Sequence, residues 1–251
     1  MFKTKESKMA RMTDKIALVI GGASGIGEAI AARLAVEGAS VFLTGRRKAD
    51  VDCAVERIGH EVRGIVADAG DPAAIEHAVA TVVAGHGRID ALVLNAAVSE
   101  PADLLSSTAD LIDRHFAVNV RGPVLAMRAA VPHMPPGSAA VLIGSTASEI
   151  AVPHYGTYAA TKAALRSYAR TWTAELAPLG LRVNILSPGP TDTEKMADVS
   201  DDIRAAILDR VPAGRLARAE EIAGAALFLV SADSAFMAGS DLHIDGGMAQ
   251  V

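Results

Sequence analysis

Tyr158 and Lys162 stand four residues apart in the stretch TYAATKAALRSYARTWTAEL, whose alanines, leucines and arginines favour a helix, so both side chains leave the same helical face. An ammonium beside a phenol favours the phenolate, drawing a pKa of about 10 down towards working pH, where the group can both give and take a proton. That is the chemistry of a general acid/base. Ser145 lies upstream at the end of VLIGS, an apolar run of strand length. Its hydroxyl therefore emerges at the carboxyl end of a strand, where open parallel sheets bind their ligands.

The elements that must position this trio follow from the alternation of short apolar runs with helical stretches. KIALVI, SVFLT, HEVRGIVA, IDALVLN, AAVLIGS, LRVNILS and DLHID read as strands, with helical patterns between them, including those near 105–132, 156–177 and 219–231. Such alternation implies right-handed βαβ units and an α/β sheet of seven parallel strands flanked by helices. One domain is expected over 13–251, preceded by a disordered leader over 1–12 (MFKTKESKMARM) that lacks the apolar core of a signal peptide. The one long irregular segment, about 188–212, has the length of a substrate lid, expected over about 190–212.

Composition narrows the function. With 251 residues, 51% of them apolar, the chain can bury both faces of a sheet. A net charge of −5 with interspersed signs offers no basic surface for nucleic acid or membrane, and no run reaches the roughly 18 apolar residues that span a bilayer. The single cysteine, Cys53, excludes an internal disulfide and fits a reducing cytoplasm; its side chain is expected to be buried or partly so. The seven histidines show no ligand spacing with one another or with Cys53, so no metal is expected in catalysis.

The first strand runs into Gly21, Gly22, Ala23, Ser24, Gly25, Ile26 and Gly27 and then a helix. Glycines allow a tight turn and close approach to a pyrophosphate, which the helix N-terminus attracts. The spacing Gly-x-x-x-Gly-x-Gly differs slightly from the Gly-x-Gly-x-x-Gly dinucleotide fingerprint, but its place after the first strand carries the nucleotide reading. At the tip of the second strand stand Arg46 and Arg47 with no acid, so a 2′-phosphate is accommodated and NADP(H) is favoured over NAD(H), Arg46 being the better placed. Asp68 and Asn95 end the third and fourth strands, where adenine and ribose would lie. Asn119 sits in an apolar helical stretch, where an amide needs a hydrogen-bonding role. Ser187-Pro188-Gly189-Pro190 stops regular structure after the sixth strand.

Taken together, Gly21, Gly25, Gly27, Asp68, Asn95, Asn119, Ser145, Tyr158, Lys162 and the Pro188-Gly189 turn resemble the short-chain dehydrogenase/reductase family over essentially residues 13–251. The resemblance implies a doubly wound, Rossmann-type fold in a homo-oligomer, commonly a tetramer, with Asn119, Ser145, Tyr158 and Lys162 as a catalytic tetrad. It implies that Tyr158 protonates a nascent alkoxide as hydride reaches a carbonyl, that Ser145 bonds the same oxygen, that Lys162 holds the nicotinamide ribose, and that Asn119 anchors a water leading to Lys162. Gly189 and Thr193 match the family's backbone and hydroxyl contacts to the nicotinamide carboxamide, and Pro188 and Thr191 are expected beside them in the cofactor site. Three departures stand out: Ile20 replaces a threonine that ties down the glycine loop, Ala97 replaces a glycine, and Thr191 replaces an aliphatic residue.

The pocket is expected between Ala97, Val98, Glu149, Ile150, Tyr155, Pro190 and the lid, and suits a small ketone or secondary alcohol. Two alternatives stay open: a reductase of carrier-bound 3-oxoacyl chains, which needs a basic docking patch from residues such as Arg121, Arg128 and Arg166, and a regulatory protein that senses the nucleotide without turnover. Gln250-Val251 are expected at a subunit contact or a structural cation.

Overall fold

The computed structural model describes residues 10–197 and 199–251. Its sheet strands are β1 (Ile16–Ile20), β2 (Ser40–Gly45), β3 (Val62–Val66), β4 (Ala91–Leu94), β5 (Ala139–Ile143), β6 (Arg182–Pro188) and, at the far edge, β9 (Asp241–Ile244). They pair in parallel in the order β3-β2-β1-β4-β5-β6-β9, as the alternation requires. The helices between them are α1 (Gly25–Val36), α2 (Lys48–Ile58), α3 (Pro72–His86), α4 (Ala109–Phe116), α5 (Gly122–Ala130), α6 (Gly156–Leu176), α7 (Glu194–Ala197), α8 (Asp201–Leu208) and α9 (Ala219–Val230).

Strand periodicity sorts the core into two layers. Ala17 and Val19 of β1 face a cluster with Ile30 and Leu34 of α1 and Ala226 and Leu227 of α9. Ile16, Leu18 and Ile20 face the opposite cluster, with Ile75 and Val79 of α3, Met127 of α5 and Leu165 of α6. Because β1 is buried on both faces, its sequence is continuously apolar rather than alternating. Helix starts are set locally: Asp71 accepts from the Ala73 amide with Pro72 at the first helical position, and Thr108 caps α4.

Four expectations change. Residues 1–9 of the expected leader lie outside the described residues, but Met12 is 2% exposed within the α1-side core, so ordered chain starts before Thr13. Its neighbour Arg11 reaches Glu37 at 2.9 Å, and that hydrogen bond holds the Glu37 carboxyl down to about 2. The segment 188–212 is not irregular: Thr191–Asp192 (β7) pairs with Ala217–Arg218 (β8), and α7 and α8 follow β7. The helix expected over 105–132 is interrupted by a π-helical turn, Ala117–Arg121, in which the Gly122 amide donates to the Ala117 carbonyl. Cys53 is exposed, because α2 turns Val51 and Ala54 inward and leaves position 53 on the solvent side.

Candidate active site

The carboxyl ends of β1, β2, β4, β5 and β6 open into a cleft of about 580 Å³. At one end lies the glycine loop. Gly21 has φ +80°, and a Cβ there would sit 2.6 Å from the Ala96 main chain; a Cβ on Gly27 would collide with the Gly21 carbonyl and the Asn95 amide. Only glycines allow this approach. The loop is tied where Ile20 offers no hydroxyl: Thr44 Oγ1 accepts from the Gly21 amide at 3.0 Å, the Thr44 carbonyl accepts from Gly22, and Asn95 Nδ2 donates to the Gly21 carbonyl at 2.6 Å. Thr44 is a functional residue that the sequence reading passed over; its signal was a hydroxyl at the end of an otherwise apolar strand, and it is 1% exposed.

This end fits a dinucleotide. Ser24, at the N-cap of α1, makes no side-chain hydrogen bond to the helix's first amides, which leaves them to an anion. Arg46 and Arg47 line the same cleft with Asp68. Arg47 is tied to Asp50 at 2.6 Å, whereas Arg46 makes no ion pair with a described residue and is the guanidinium open to a phosphate. Asp68 Oδ1 accepts from the Gly70 amide at 2.8 Å, which fixes the carboxylate as it projects into solvent.

At the other end, β5, the π turn and α6 bring the four sequence-predicted polar residues together. Asn119, fully buried, accepts from the Val98 amide at 2.8 Å and donates to the Val98 carbonyl at 2.9 Å and to Thr161 Oγ1 at 3.0 Å. Its amide thus clamps the loop after β4 to α6. Lys162 Nζ donates to the Ile143 carbonyl at 2.7 Å and stands 5.6 Å from the Tyr158 ring centroid. Ser145 Oγ accepts from the Ala147 amide at 3.1 Å, which leaves its proton for the Tyr158 phenol.

The Tyr158 pKa runs against expectation. Burial pushes the phenol above its ordinary value of 10.0, the Ser145 hydrogen bond offsets part of this, and Tyr155 adds to the rise. Lys162 Nζ donates to a main-chain carbonyl and lies near the ring face, and desolvation is the largest influence on the phenol. That shift favours the protonated phenol.

Pro188, Gly189, Thr191 and Thr193 complete the cleft. A Cβ on Gly189 would meet the Asp245 main chain at 2.7 Å, and Thr191 Oγ1 donates to the Gly189 carbonyl at 3.0 Å. Asp245 in turn accepts from the Gly247 and Ala249 amides, and Gln250 folds back to hydrogen-bond it. Ala97, Val98 and Pro190 line the cleft as expected, but Glu149, Ile150 and Tyr155 lie outside its wall. The expected lid touches the segment after β5 through Arg210, which donates to the Ala151 carbonyl at 3.2 Å. Arg121, Arg128 and Arg166 each answer a different partner, the Gly70 carbonyl, Glu76 and the Gly239 carbonyl. No helix of the described residues is long and apolar enough to cross a membrane.

Residues 21–249 match the family model described as enoyl-(acyl carrier protein) reductase. The chain is 35% identical over 241 residues to a 3-oxoacyl-[acyl-carrier-protein] reductase of Escherichia coli, covering 94% of this chain and 98% of that protein. It is 34% identical over 248 residues to an oxidoreductase of Sarocladium schorii, covering 98% and 100%. Among solved structures, a short-chain dehydrogenase/reductase from Serratia marcescens superposes with a TM-score of 0.92 at 34% identity, covering 95% of this chain and 99% of that one. A short-chain dehydrogenase from Burkholderia cenocepacia, solved in complex with NADP, gives 0.90 at 36%, again covering 95% and 99%.

Proposed function

Since the chain belongs to the short-chain dehydrogenase/reductase family, we propose that it is an NADP(H)-dependent oxidoreductase that interconverts a small ketone or aldehyde and its alcohol. The observation that carries this reading is the Tyr158 phenol, hydrogen-bonded by Ser145 and flanked by Lys162, at one end of a cleft whose other end is a glycine cradle with Arg46 open to a phosphate. A bound nicotinamide supplies or accepts the hydride.

The chain's own residues do the rest. Tyr158 holds a proton at its phenol oxygen and delivers it to the carbonyl oxygen as negative charge develops there; Ser145 donates to the same oxygen and shares that charge. Lys162 keeps a cation within reach of the phenol, so the tyrosinate left by proton transfer is stabilised by it. Asn119 positions the Val98 main chain against α6, and Asp68, Asn95, Pro188, Gly189, Thr191 and Thr193, which line the cleft, would hold the nucleotide there. General acid catalysis of this kind contributes roughly 10²- to 10⁴-fold, with positioning supplying much of the remainder. Arg46 would bond the 2′-phosphate that separates NADP(H) from NAD(H).

The E. coli relative is named for carrier-bound 3-oxoacyl substrates. The three arginines that such a carrier would need in one patch are turned to three separate partners here, which favours a free small molecule. A cytoplasmic homotetramer with its lid over about 190–212 completes the proposal.

The test mixes protein and NADPH with a panel of small ketones and a 3-oxoacyl thioester and follows the absorbance of the reduced nicotinamide. Turnover of a ketone that falls by about 10²-fold or more in Tyr158→Phe supports the reading. Unchanged turnover in that variant refutes the mechanism, and tight NADPH binding with no oxidation on any substrate would instead mark a nucleotide sensor. An Arg46→Ala variant should lose its preference for NADPH over NADH.

A further inference from the structure

Outside the cleft, the described residues leave four buried side-chain atoms without a hydrogen-bond partner: Ser187 Oγ, both carboxylate oxygens of Asp241, and His243 Nδ1. They are neighbours by construction. In the β6–β9 pairing Ile185 lies opposite Asp241 and Ser187 opposite His243, and paired parallel strands send opposed side chains to one face of the sheet, so Asp241, His243 and Ser187 share a face. Ile185 belongs to the core layer that includes Leu165 and Ala169 of α6, so this is the α6 side.

Orphaned polar atoms are costly to bury, and a carboxylate with neither oxygen satisfied is the costliest kind. The Asp241 side chain is 6% exposed. The nearest cations only partly answer it: Arg166 Nε lies 3.5 Å from Oδ2 while its Nη1 is spent on the Gly239 carbonyl, and His243 Nε2 lies 3.6 Å from the same oxygen. Above this pair comes Glu149, exposed, on the short segment after β5. One ligand atom from each of Glu149, Asp241 and His243 lies within 4.8 Å of the others.

The geometry points to a divalent-cation site formed by Glu149, Asp241 and His243, distinct from the cleft and structural in character. Bonds of about 2.0–2.2 Å at near-tetrahedral angles place two ligands of one ion about 3.3–3.6 Å apart, so Asp241 and His243, 3.6 Å apart, already fit and a closure of up to about 1.5 Å by Glu149 completes the set. Glu149, being exposed, is free to make it. Two carboxylates and an imidazole form a mixed oxygen and nitrogen set that suits Zn²⁺, with water completing the shell, better than it suits Mg²⁺. The ion would satisfy Asp241 and His243 together and pin the segment that follows Ser145 to the edge strand. Arg166 would compete for Asp241 with the ion.

The experiment strips the full-length protein with a chelator and dialyses it against micromolar Zn²⁺, reading bound metal by elemental analysis and stability by melting temperature. One Zn²⁺ per chain is expected, with a rise in Tm of about 5–10 °C near a hundredfold excess over Kd. Glu149→Gln, at an exposed position that leaves folding intact, and Asp241→Asn should each weaken binding at least about tenfold, while Arg166→Gln should tighten it. Absence of stoichiometric Zn²⁺, or an equivalent of Zn²⁺ that both Glu149→Gln and Asp241→Asn retain at full affinity, overturns the assignment. These readings need no turnover, so they stand or fall apart from the proposed reaction.

Discussion

The nucleotide end of the cleft is shaped by main chain against main chain, with Gly21 and Gly27 packed so closely on Ala96, Asn95 and each other that no side chain fits between them. The reacting end is built the other way: Asn119 grips both main-chain groups of Val98, Lys162 grips the Ile143 carbonyl, and Arg210 grips that of Ala151. The glycine loop of the first end is intolerant of volume. The second accepts changes of volume but fails when a polar atom is deleted, because its partner is left buried and unpaired.

The largest effect should come from titrating the reacting end. Since burial favours the protonated form of Tyr158, carbonyl reduction should run on a plateau from pH 6 to 9, whereas alcohol oxidation, which needs the phenolate, should rise about tenfold per pH unit below the phenol's pKa, or roughly a hundredfold from pH 7 to 9. A flat oxidation profile would show that the bound nucleotide and Lys162 together overcome desolvation. Next in size, Gly27→Val should weaken NADPH binding by roughly 5- to 150-fold in a fluorescence titration, the equivalent of about 1–3 kcal/mol of overpacking, with little loss of thermal stability if the loop alone yields. Asn119→Ala should behave in the opposite sense: about 2–4 kcal/mol lost in denaturant unfolding, from orphaning the Val98 amide and carbonyl, and NADPH affinity changed less than in Gly27→Val. If the two variants lose affinity and stability in the same proportion, the contrast between the ends fails.

The smallest effect lies outside both ends and serves as the control. Glu37 has its folded pKa lowered to about 2, first by the Arg11 hydrogen bond, against an ordinary 4.5. A depressed carboxylate stabilises the fold fully above the unfolded value and loses that contribution as pH falls from 4.5 towards 2. Glu37→Gln should therefore lower stability near neutrality and flatten the acid limb between those values, measured by urea unfolding at a series of pH, without touching cofactor affinity.

The parts of this molecule legible in the sequence are those in which local pattern and tertiary role coincide. The seven strands could be read because each apolar run has strand length and is bounded by a turn or helix signal, and the glycine loop because backbone closeness demands glycine itself. The Tyr158–Lys162 pair was legible as a spacing, but its electrostatics were not, since the balance of desolvation against the ammonium depends on where Nζ points. Met12 was hidden inside a polar leader, where one buried residue leaves no periodicity. The helices α7 and α8 were hidden because Pro188 and Pro190 open the segment and its helical runs are short. Glu149, Asp241 and His243 come from two distant stretches, which the strand order β5-β6-β9 brings together.

The five-residue turn at Ala117–Arg121 carries a last consequence. Because the Gly122 amide reaches back five residues instead of four, this stretch holds one residue more than an ordinary turn. Asn119, within this turn, is fully buried and bonded to Thr161. Excising a single residue there would restore an unbroken α-helix of better intrinsic geometry, yet would swing every following side chain by about 100° around the axis. The site thus depends on a helix that is locally wound wrong, and its history is better sought in length polymorphisms of that one turn than in substitutions along it.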